Sequence, residues 1–314
     1  MKIILIIVIV IILYLLLLYG VFRVTFSTKG HKEYSPLSFP KGEQYEPLSL
    51  RMAELVNAAL KVPYEEVYID SFDGLKLYGR IYNGDPGRPV EIQFHGWRSN
   101  AVRDFAGGSA IGREAHNTVI LVDERGINNS GGNMLTFGIL ERKDVLSWVQ
   151  YANQRWNNPR IFLYGVSMGA ATVLMAMDQN LPSNVTGIIA DSPYTSPKAI
   201  ICKVVQDMHL PVTAAWFLLL QASRLFGHFN INESDAAESV RKSDIPILLI
   251  HGNQDRFVPY EMSEEIKKAA GEKCTLEIFP GAPHGVSFLF DEERYRKVVK
   301  TFIDTHSYGI NRIF

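Results

Sequence analysis

Two hydrophobic patterns alternate along most of this chain. Short continuous apolar runs predict buried strands, and apolar residues at helical spacing predict helices between them. The predicted strands are 90–94, 118–122, 160–164, 185–190, 246–250 and 275–279. The predicted helices are 101–114, 141–156, 168–180, 261–270 and 292–306. Strands that are apolar throughout and separated by helices indicate a mainly parallel sheet covered on both faces.

Two further strands precede this alternation. Residues 66–70 and 75–82 alternate between apolar and polar positions and are separated by Phe72-Asp73-Gly74. An Asp-Gly pair between two such runs predicts a β-hairpin. The hairpin adds an antiparallel edge, which gives an eight-stranded α/β sheet. Apolar residues at helical spacing over 47–60 predict a helix before the hairpin, so we place the globular domain at 47–314.

The N-terminus departs from a globular pattern. Residues 3–22 are apolar except for tyrosines and one glycine, and about 20 such residues can cross a bilayer as a helix. We therefore predict a single-pass anchor in the cell membrane at 1–24. A cleaved signal peptide is the alternative, but no small-x-small site follows the run. Residues 25–46, which are rich in glycine, proline and polar residues, are predicted to be a linker.

The flanking charges of the anchor leave its orientation open. Lys2 precedes the apolar run, whereas Arg23, Lys29 and Lys32 follow it. Lysine and arginine are enriched on the cytoplasmic side, which favours a cytoplasmic domain only weakly.

One segment interrupts the alternation of strands and helices. Residues 196–243 lie between two predicted strands and are too long for a simple connection. Their apolar run at 211–220 is too short to span a membrane. We interpret the segment as a helical cap in which Trp216 and Phe217 line an acyl pocket. Packing of the cap on the core of the domain is the alternative.

Composition excludes several other functions. The formal net charge is −1, so nothing indicates nucleic-acid binding. The two cysteines form no disulfide framework, and no spacing of histidine, cysteine and acidic residues indicates a metal site. We expect no cofactor.

The sequence Gly165-Val166-Ser167-Met168-Gly169 follows a predicted strand and precedes a predicted helix. In this context Gly-x-Ser-x-Gly forms a nucleophile elbow, a sharp turn that presents the serine hydroxyl above the sheet. The two glycines leave room for the strand and the helix to approach each other. We therefore predict that Ser167 is a nucleophile, with chance occurrence of a short pattern as the alternative.

A serine nucleophile needs a base and a group that orients the base. Asp255 and His284 lie in loops after predicted strands, in the order Ser, Asp, His that accompanies this elbow. We predict His284 as the base and Asp255 as the orienting acid. Asp191 also follows a strand and is the alternative acid.

The oxyanion of a tetrahedral intermediate needs hydrogen-bond donors. The backbone N–H of Met168, the residue after the nucleophile, is the first predicted donor. The second is the backbone N–H of Trp97, because Gly96 allows the loop after the strand 90–94 to turn inward.

Together these motifs resemble those of the α/β-hydrolase superfamily over residues 65–306. The resemblance is carried by His95-Gly96-Trp97, Asp123-Glu124-Arg125-Gly126, Gly165-Val166-Ser167-Met168-Gly169, Asp255-Arg256-Phe257-Val258-Pro259 and Pro283-His284-Gly285. The anchor and the short cap are similar to the Bem46-like branch. The resemblance implies the α/β-hydrolase fold and serine hydrolase chemistry.

The residues and the resemblance together favour a membrane-anchored serine hydrolase, a carboxylesterase that cleaves small acyl esters or thioesters through an acyl-enzyme intermediate. A peptidase or amidase on the same fold is the alternative, because sequence does not show whether His284 can protonate a poor leaving group. A non-catalytic binding protein is a third hypothesis, which the intact Ser167, Asp255 and His284 disfavour.

Overall fold

A computed structural model describes residues 1–29 and 33–308 of the chain. Its strands are β1 Glu65–Asp70, β2 Lys76–Tyr82, β3 Val90–Phe94, β4 Thr118–Val122, β5 Ile161–Val166, β6 Val185–Asp191, β7 Ile247–Gly252 and β8 Cys274–Phe279. They form one sheet in the order β1-β2-β4-β3-β5-β6-β7-β8. The β1–β2 and β2–β4 pairs are antiparallel and the other pairs are parallel. The predicted fold class, including the hairpin at one edge, is confirmed.

Helices cover both faces of this sheet. They are α1 Lys2–Thr25, α2 Ser49–Leu60, α3 Ala101–Asp104, α4 Gly108–Glu114, α5 Glu141–Trp156, α6 Met168–Met175, α7 Pro197–Asp207, α8 Val212–Leu225, α9 Ala236–Ser239, α10 Glu261–Ala270, α11 Ser287–Phe290 and α12 Glu292–Tyr308. The single helix predicted at 101–114 is two helices. A Cβ at Gly107, between them, would lie 2.4 Å from the Phe288 ring, so this break lets α11 approach.

The central strands are buried on both faces, as their continuous apolar pattern predicts. In β3, Val90, Ile92 and Phe94 belong to one hydrophobic cluster. Since side chains alternate along a strand, the intervening Glu91 and Gln93 point to the other face, and both are buried. The carboxyl ends of the parallel strands meet at one edge, where α/β proteins place their ligands.

The N-terminal helix α1 is 24 residues long, and it is long and apolar enough to cross a membrane. Its last two turns pack against the domain. Leu18 and Phe22 are buried, and the Tyr19 ring lies 5.3 Å from the ring of Phe226, just after α8. Phe26, which follows α1, is also buried, with its ring 5.2 Å from that of Phe229. The end of α1 is therefore part of the core of the domain.

The segment predicted as a linker packs on the domain over the residues that are described. The Tyr34 N–H donates to Asn128 Oδ1 at 2.9 Å, and Arg103 donates to the carbonyl of Ser38. Tyr45 is buried. Residues 30–32 of the predicted linker, and residues 309–314 of the predicted domain, lie outside the described residues.

The predicted cap comprises α7, α8 and α9. Helix α8 packs against α1 and contributes Leu219 and Ala222 to the main hydrophobic core. Trp216 is half-buried, with the Lys198 ammonium 5.8 Å from its ring centre, whereas Phe217 is 60% exposed. Contacts with the N-terminal helix and the core thus cover part of the apolar surface of α8, whereas Phe217 and Leu225 remain exposed.

Candidate active site

Ser167 lies in the turn between β5 and α6, where its backbone has φ 56° and ψ −114°. A positive φ is uncommon for a residue with a side chain and stores strain in the turn. A Cβ at Gly165 would lie 2.2 Å from the carbonyl carbon of Gly169. A Cβ at Gly169 would lie 2.0 Å from the carbonyl oxygen of Phe94. Both positions therefore require glycine for the strand and helix to approach this closely.

Three side chains from separate loops meet at the carboxyl edge of the sheet. The Ser167 hydroxyl lies 2.8 Å from His284 Nε2, and His284 Nδ1 lies 2.6 Å from Asp255 Oδ2. With the proton on Nδ1, the imidazole donates to Asp255 and accepts from Ser167. These are the distances and the order that let an imidazole take the serine proton.

Asp255 is held by more than His284. Its Oδ1 accepts from the backbone N–H groups of Phe257 and Val258, at 2.9 and 2.8 Å. Its Oδ2 also accepts from His251 Nε2 at 3.1 Å. Burial raises the pKa of Asp255, but the charge of His284 and hydrogen bonds from both histidines outweigh burial and bring that pKa well below its usual range.

His251 is a contact of the site that the sequence does not reveal. Its Nε2 faces two acceptors, Asp255 Oδ2 and the carbonyl of Val258, so this nitrogen carries a proton. Its Nδ1 lies 2.6 Å from Ser263 Oγ, which can then act as the donor. His251 is completely buried. It therefore helps to hold the carboxylate of Asp255, through the same oxygen that His284 contacts.

The structure places Asp191, the alternative acid, in a different network. Its Oδ1 accepts from the Ser192 hydroxyl at 2.9 Å, and its Oδ2 accepts from the Tyr295 hydroxyl at 2.8 Å. Tyr295 in turn shares a hydrogen bond with the hydroxyl of Tyr164. Burial raises the pKa of Asp191, although the hydroxyl donors partly offset this effect. Asp255 is thus the carboxylate that is bonded to His284.

The predicted oxyanion donors lie beside Ser167. Met168 is the first residue of α6, and the first N–H groups of a helix have no partner within it. Trp97 follows β3 and lines the same cavity as Ser167. A Cβ at Gly96 would lie 3.4 Å from Ser167 Cβ, which places this loop against the nucleophile elbow.

A cavity of about 460 Å³ opens above Ser167 and His284. This volume lies within the range of about 300–1,000 Å³ that is usual for small-molecule sites. Its apolar lining comes mainly from α2, the α3–α4 region and α11, and includes Met52, Leu55, Val56, Phe105, Phe288 and Leu289. Residues 196–243 are all described and none of them lines the cavity, so the structure does not bring Trp216 and Phe217 to it.

The segment 40–45 closes one side of this cavity and was not predicted to belong to the site. Pro40, Lys41, Gln44 and Tyr45 line it. The Tyr45 hydroxyl donates to the carbonyl of His284 at 3.4 Å. Burial, together with the nearby charge of Asp255, raises the pKa of Tyr45 to about 12, so this tyrosine stays a neutral donor. Three aromatic residues at 34, 39 and 45 are the sequence signal that this segment packs on the domain.

Comparisons with known proteins agree with this architecture. The model of the prolyl oligopeptidase family matches residues 119–307, well over half of the chain. Uncharacterized protein YqkD of Bacillus subtilis is 27% identical over 192 residues, which are 59% of this chain and 62%, less than two thirds, of YqkD.

Two solved structures share the fold. The Pyrococcus furiosus esterase Pf2001 is 21% identical and superposes with a TM-score of 0.62 over 80% of this chain and 95% of its own. Est1E of Butyrivibrio proteoclasticus, solved with bound ferulic acid, is 21% identical with a TM-score of 0.58 over 76% and 98%.

These findings have different weight. The structural likenesses, at 21% identity, show the fold. The family match runs from β4 to α12 and includes the loops that carry Ser167, Asp255 and His284, but it leaves out β1 to β3. The resemblance to the Bem46-like branch stays a prediction. The chain therefore belongs to the prolyl oligopeptidase family and has the α/β-hydrolase fold.

Proposed function

We propose that the protein is a membrane-anchored serine hydrolase that cleaves small carboxylic esters or thioesters through a covalent acyl-enzyme. The observation that carries the proposal is the chain of two hydrogen bonds from Ser167 through His284 to Asp255, at 2.8 and 2.6 Å. Ser167, where this chain of hydrogen bonds begins, lines a largely apolar cavity.

The proposed reaction has two halves. The Ser167 oxygen attacks the carbonyl carbon of the ester while His284 Nε2 takes the serine proton. When the tetrahedral intermediate collapses, the bond to the alcohol breaks and His284 gives the proton to the leaving oxygen. His284 then takes a proton from water, the water oxygen attacks the acyl-Ser167, and the carboxylic acid leaves as Ser167 regains its proton.

The roles of the surrounding groups follow from their positions. Asp255 fixes the His284 tautomer and stabilises the imidazolium that forms in each half. The backbone N–H groups of Met168 and Trp97 are the proposed donors to the oxyanion. Such donors are fixed before the reaction begins, so the transition state requires little rearrangement.

The cavity supports an acyl or aromatic substrate. Its apolar side chains can bury a hydrocarbon chain, and each buried CH₂ contributes up to about 0.8 kcal/mol. Ester hydrolysis by Pf2001, and the binding of ferulic acid to Est1E, are in keeping with this substrate class. Helix α1 supports attachment to a membrane, because its first four turns are apolar and exposed.

Peptide or amide cleavage is the second candidate, and the family match favours it. Both reactions use the same nucleophile and base, but an amine leaves only after it is protonated. The choice therefore depends on whether His284 can reach the leaving nitrogen.

The test uses the purified full-length protein in detergent. Wild type should be labelled at Ser167 by a fluorophosphonate and should hydrolyse p-nitrophenyl esters. Ser167→Ala should lose labelling and several orders of magnitude in kcat while it keeps its thermal melt. Ser223→Ala, a buried serine in α8 whose hydroxyl donates to Leu220, is the matched control.

A parallel series of prolyl and alanyl p-nitroanilides separates the two candidates. Higher kcat/KM for esters than for anilides supports the esterase proposal, and the reverse order supports a peptidase. Labelling of Ser167→Ala at the wild-type rate would refute both.

A further inference from the structure

Arg98, the residue after the proposed oxyanion donor Trp97, contacts the end of the N-terminal helix. Its Nη2 donates to the carbonyls of Val24 and Ser27, each at 2.9 Å. The last carbonyls of a helix have no partner within it, and a positive side chain there is favourable. Arg98 itself has φ 47°, an uncommon value for a residue with a side chain, so the loop is held in a strained conformation.

The Trp97 ring makes a second connection to the same region. It stacks on Phe137 with ring centres 6.2 Å apart at 24°, and the Phe137 ring meets that of Phe26 edge-on at 6.0 Å. The Arg98 guanidinium lies 4.4 Å from the Trp97 ring centre, within cation–π distance. Phe26 is fully buried, so this aromatic chain ends in the core.

The other side of the loop is fixed from within the catalytic domain. The Gly96 N–H donates to Asp104 Oδ2 at 2.8 Å. The Glu124 N–H donates to His95 Nε2 at 3.1 Å. The peptide N–H of Trp97 therefore lies between two fixed parts of the loop. The residues before it are held by the catalytic domain, and the residue after it is held by residues 24–27.

We propose that Arg98 is a positioning residue: by binding the end of α1 it holds the Trp97 N–H where the oxyanion develops. The N-terminal helix then helps to fix the geometry of the active site, in addition to attaching the protein to a membrane. The inference rests on the proposed function, because it needs an oxyanion that Trp97 stabilises.

The expected effect falls on the transition state. Removing one oxyanion donor costs about 10²–10³ in kcat, and a donor that is present but poorly fixed should cost less, about tenfold. Binding of the ground state should change little, because the ester carbonyl is a weaker acceptor than the oxyanion.

The experiment compares full-length wild type, Arg98→Ala, Arg98→Lys and Arg155→Ala in detergent. Arg155 is a matched control: its guanidinium also lies near the ring of an adjacent tryptophan, 5.0 Å from that of Trp156, but it donates to Tyr151 and Glu65, away from α1 and the site. The measurements are kcat and KM for a p-nitrophenyl ester, inhibition by a trifluoromethyl ketone, and thermal melts. The ketone forms a tetrahedral adduct whose oxyanion needs the same donors.

Arg98→Ala should lower kcat about tenfold or more, leave KM within about twofold, and weaken ketone inhibition by a similar factor to kcat. Arg98→Lys should have a kcat between those of wild type and Arg98→Ala. If Arg98→Ala does not fold, the comparison of Arg98→Lys with wild type provides the test. Arg155→Ala should keep the wild-type kcat, KM and ketone inhibition. The inference is overturned if Arg98→Ala folds and keeps the wild-type kcat and ketone affinity. It is also overturned if Arg98→Lys loses thermal stability but keeps the wild-type kcat and ketone affinity. A wild type without ester turnover refutes the proposed function itself, together with the role given to Arg98.

Discussion

Glu91 should make the fold less stable above neutral pH. This carboxyl lies in the middle of β3 and is 1% exposed. Its oxygens accept from Asn117 Nδ2 at 2.7 Å and from Gln93 Nε2 at 3.1 Å. Burial raises its pKa to about 7, although these two hydrogen bonds act in the opposite direction.

The sign of the effect follows from proton linkage. A carboxyl whose pKa is raised by folding binds its proton more tightly in the folded chain, so the neutral form stabilises the fold. That stabilisation is complete below the unfolded pKa of about 4.3 and is lost as the pH rises through about 7. At about 1.4 kcal/mol per pH unit, the loss over the interval from about 4.3 to about 7 amounts to about 4 kcal/mol.

Glu91→Gln should avoid this loss, because glutamine is neutral at every pH. It keeps an acceptor for Asn117, and its new N–H₂ group finds an acceptor in Gln93. Among the described residues, Gln93 Oε1 has no hydrogen-bond partner, so rotation of the Gln93 amide would supply it.

The assay is urea unfolding of full-length protein in detergent at pH 5, 6, 7 and 8, followed by tryptophan fluorescence. The stability of the variant relative to wild type should rise by about 3 kcal/mol from pH 5 to pH 8. Glu272→Gln removes an exposed carboxylate from the same domain and should show no such rise. A Glu91→Gln difference that does not change with pH, or that favours wild type at pH 8, would refute the reasoning.

Two further substitutions test the site directly. Asp255→Asn should present the wrong tautomer of His284 and lower kcat by about 10⁴ in a p-nitrophenyl ester assay, whereas Asp191→Asn should be much milder; equal losses would contradict the assignment of the acid. Met52→Phe should fill part of the cavity and shift the preference in kcat/KM over acetyl to decanoyl esters towards shorter chains. Phe217→Ser should leave that preference unchanged, and a change there would show that α8 reaches the substrate after all.

The parts that sequence predicts well are those with a local signal. The elbow needs Gly165 and Gly169 within five residues of the chain, and a buried strand is a continuous apolar run. Both patterns stand out without knowledge of their neighbours in space. The predicted strand positions and the meeting of Ser167, His284 and Asp255 follow from such patterns.

The parts that sequence does not predict depend on which surfaces meet. The apolar pattern of α8 indicates that most of its surface is covered, but it does not say by what. We expected a substrate pocket at Trp216, whereas α8 meets α1 and the core. Likewise, nothing local to His251 distinguishes a packing histidine from one that braces Asp255.

In the proposed membrane-anchored protein, the buried end of α1 limits the distance between the domain and the bilayer. The whole helix is 24 residues, or about 36 Å, but only the part before Leu18, about 24 Å, is free of the domain. A hydrocarbon core is about 30 Å thick, which is more than the free part of α1. If α1 spans the core completely, its contact with α8 must therefore lie at the level of the headgroups. Tyr19 and Phe226 would then lie at the depth where aromatic side chains favour the interface. A hydrolase held this way would receive hydrophobic substrates from the lipid phase, at their concentration in the membrane rather than in water.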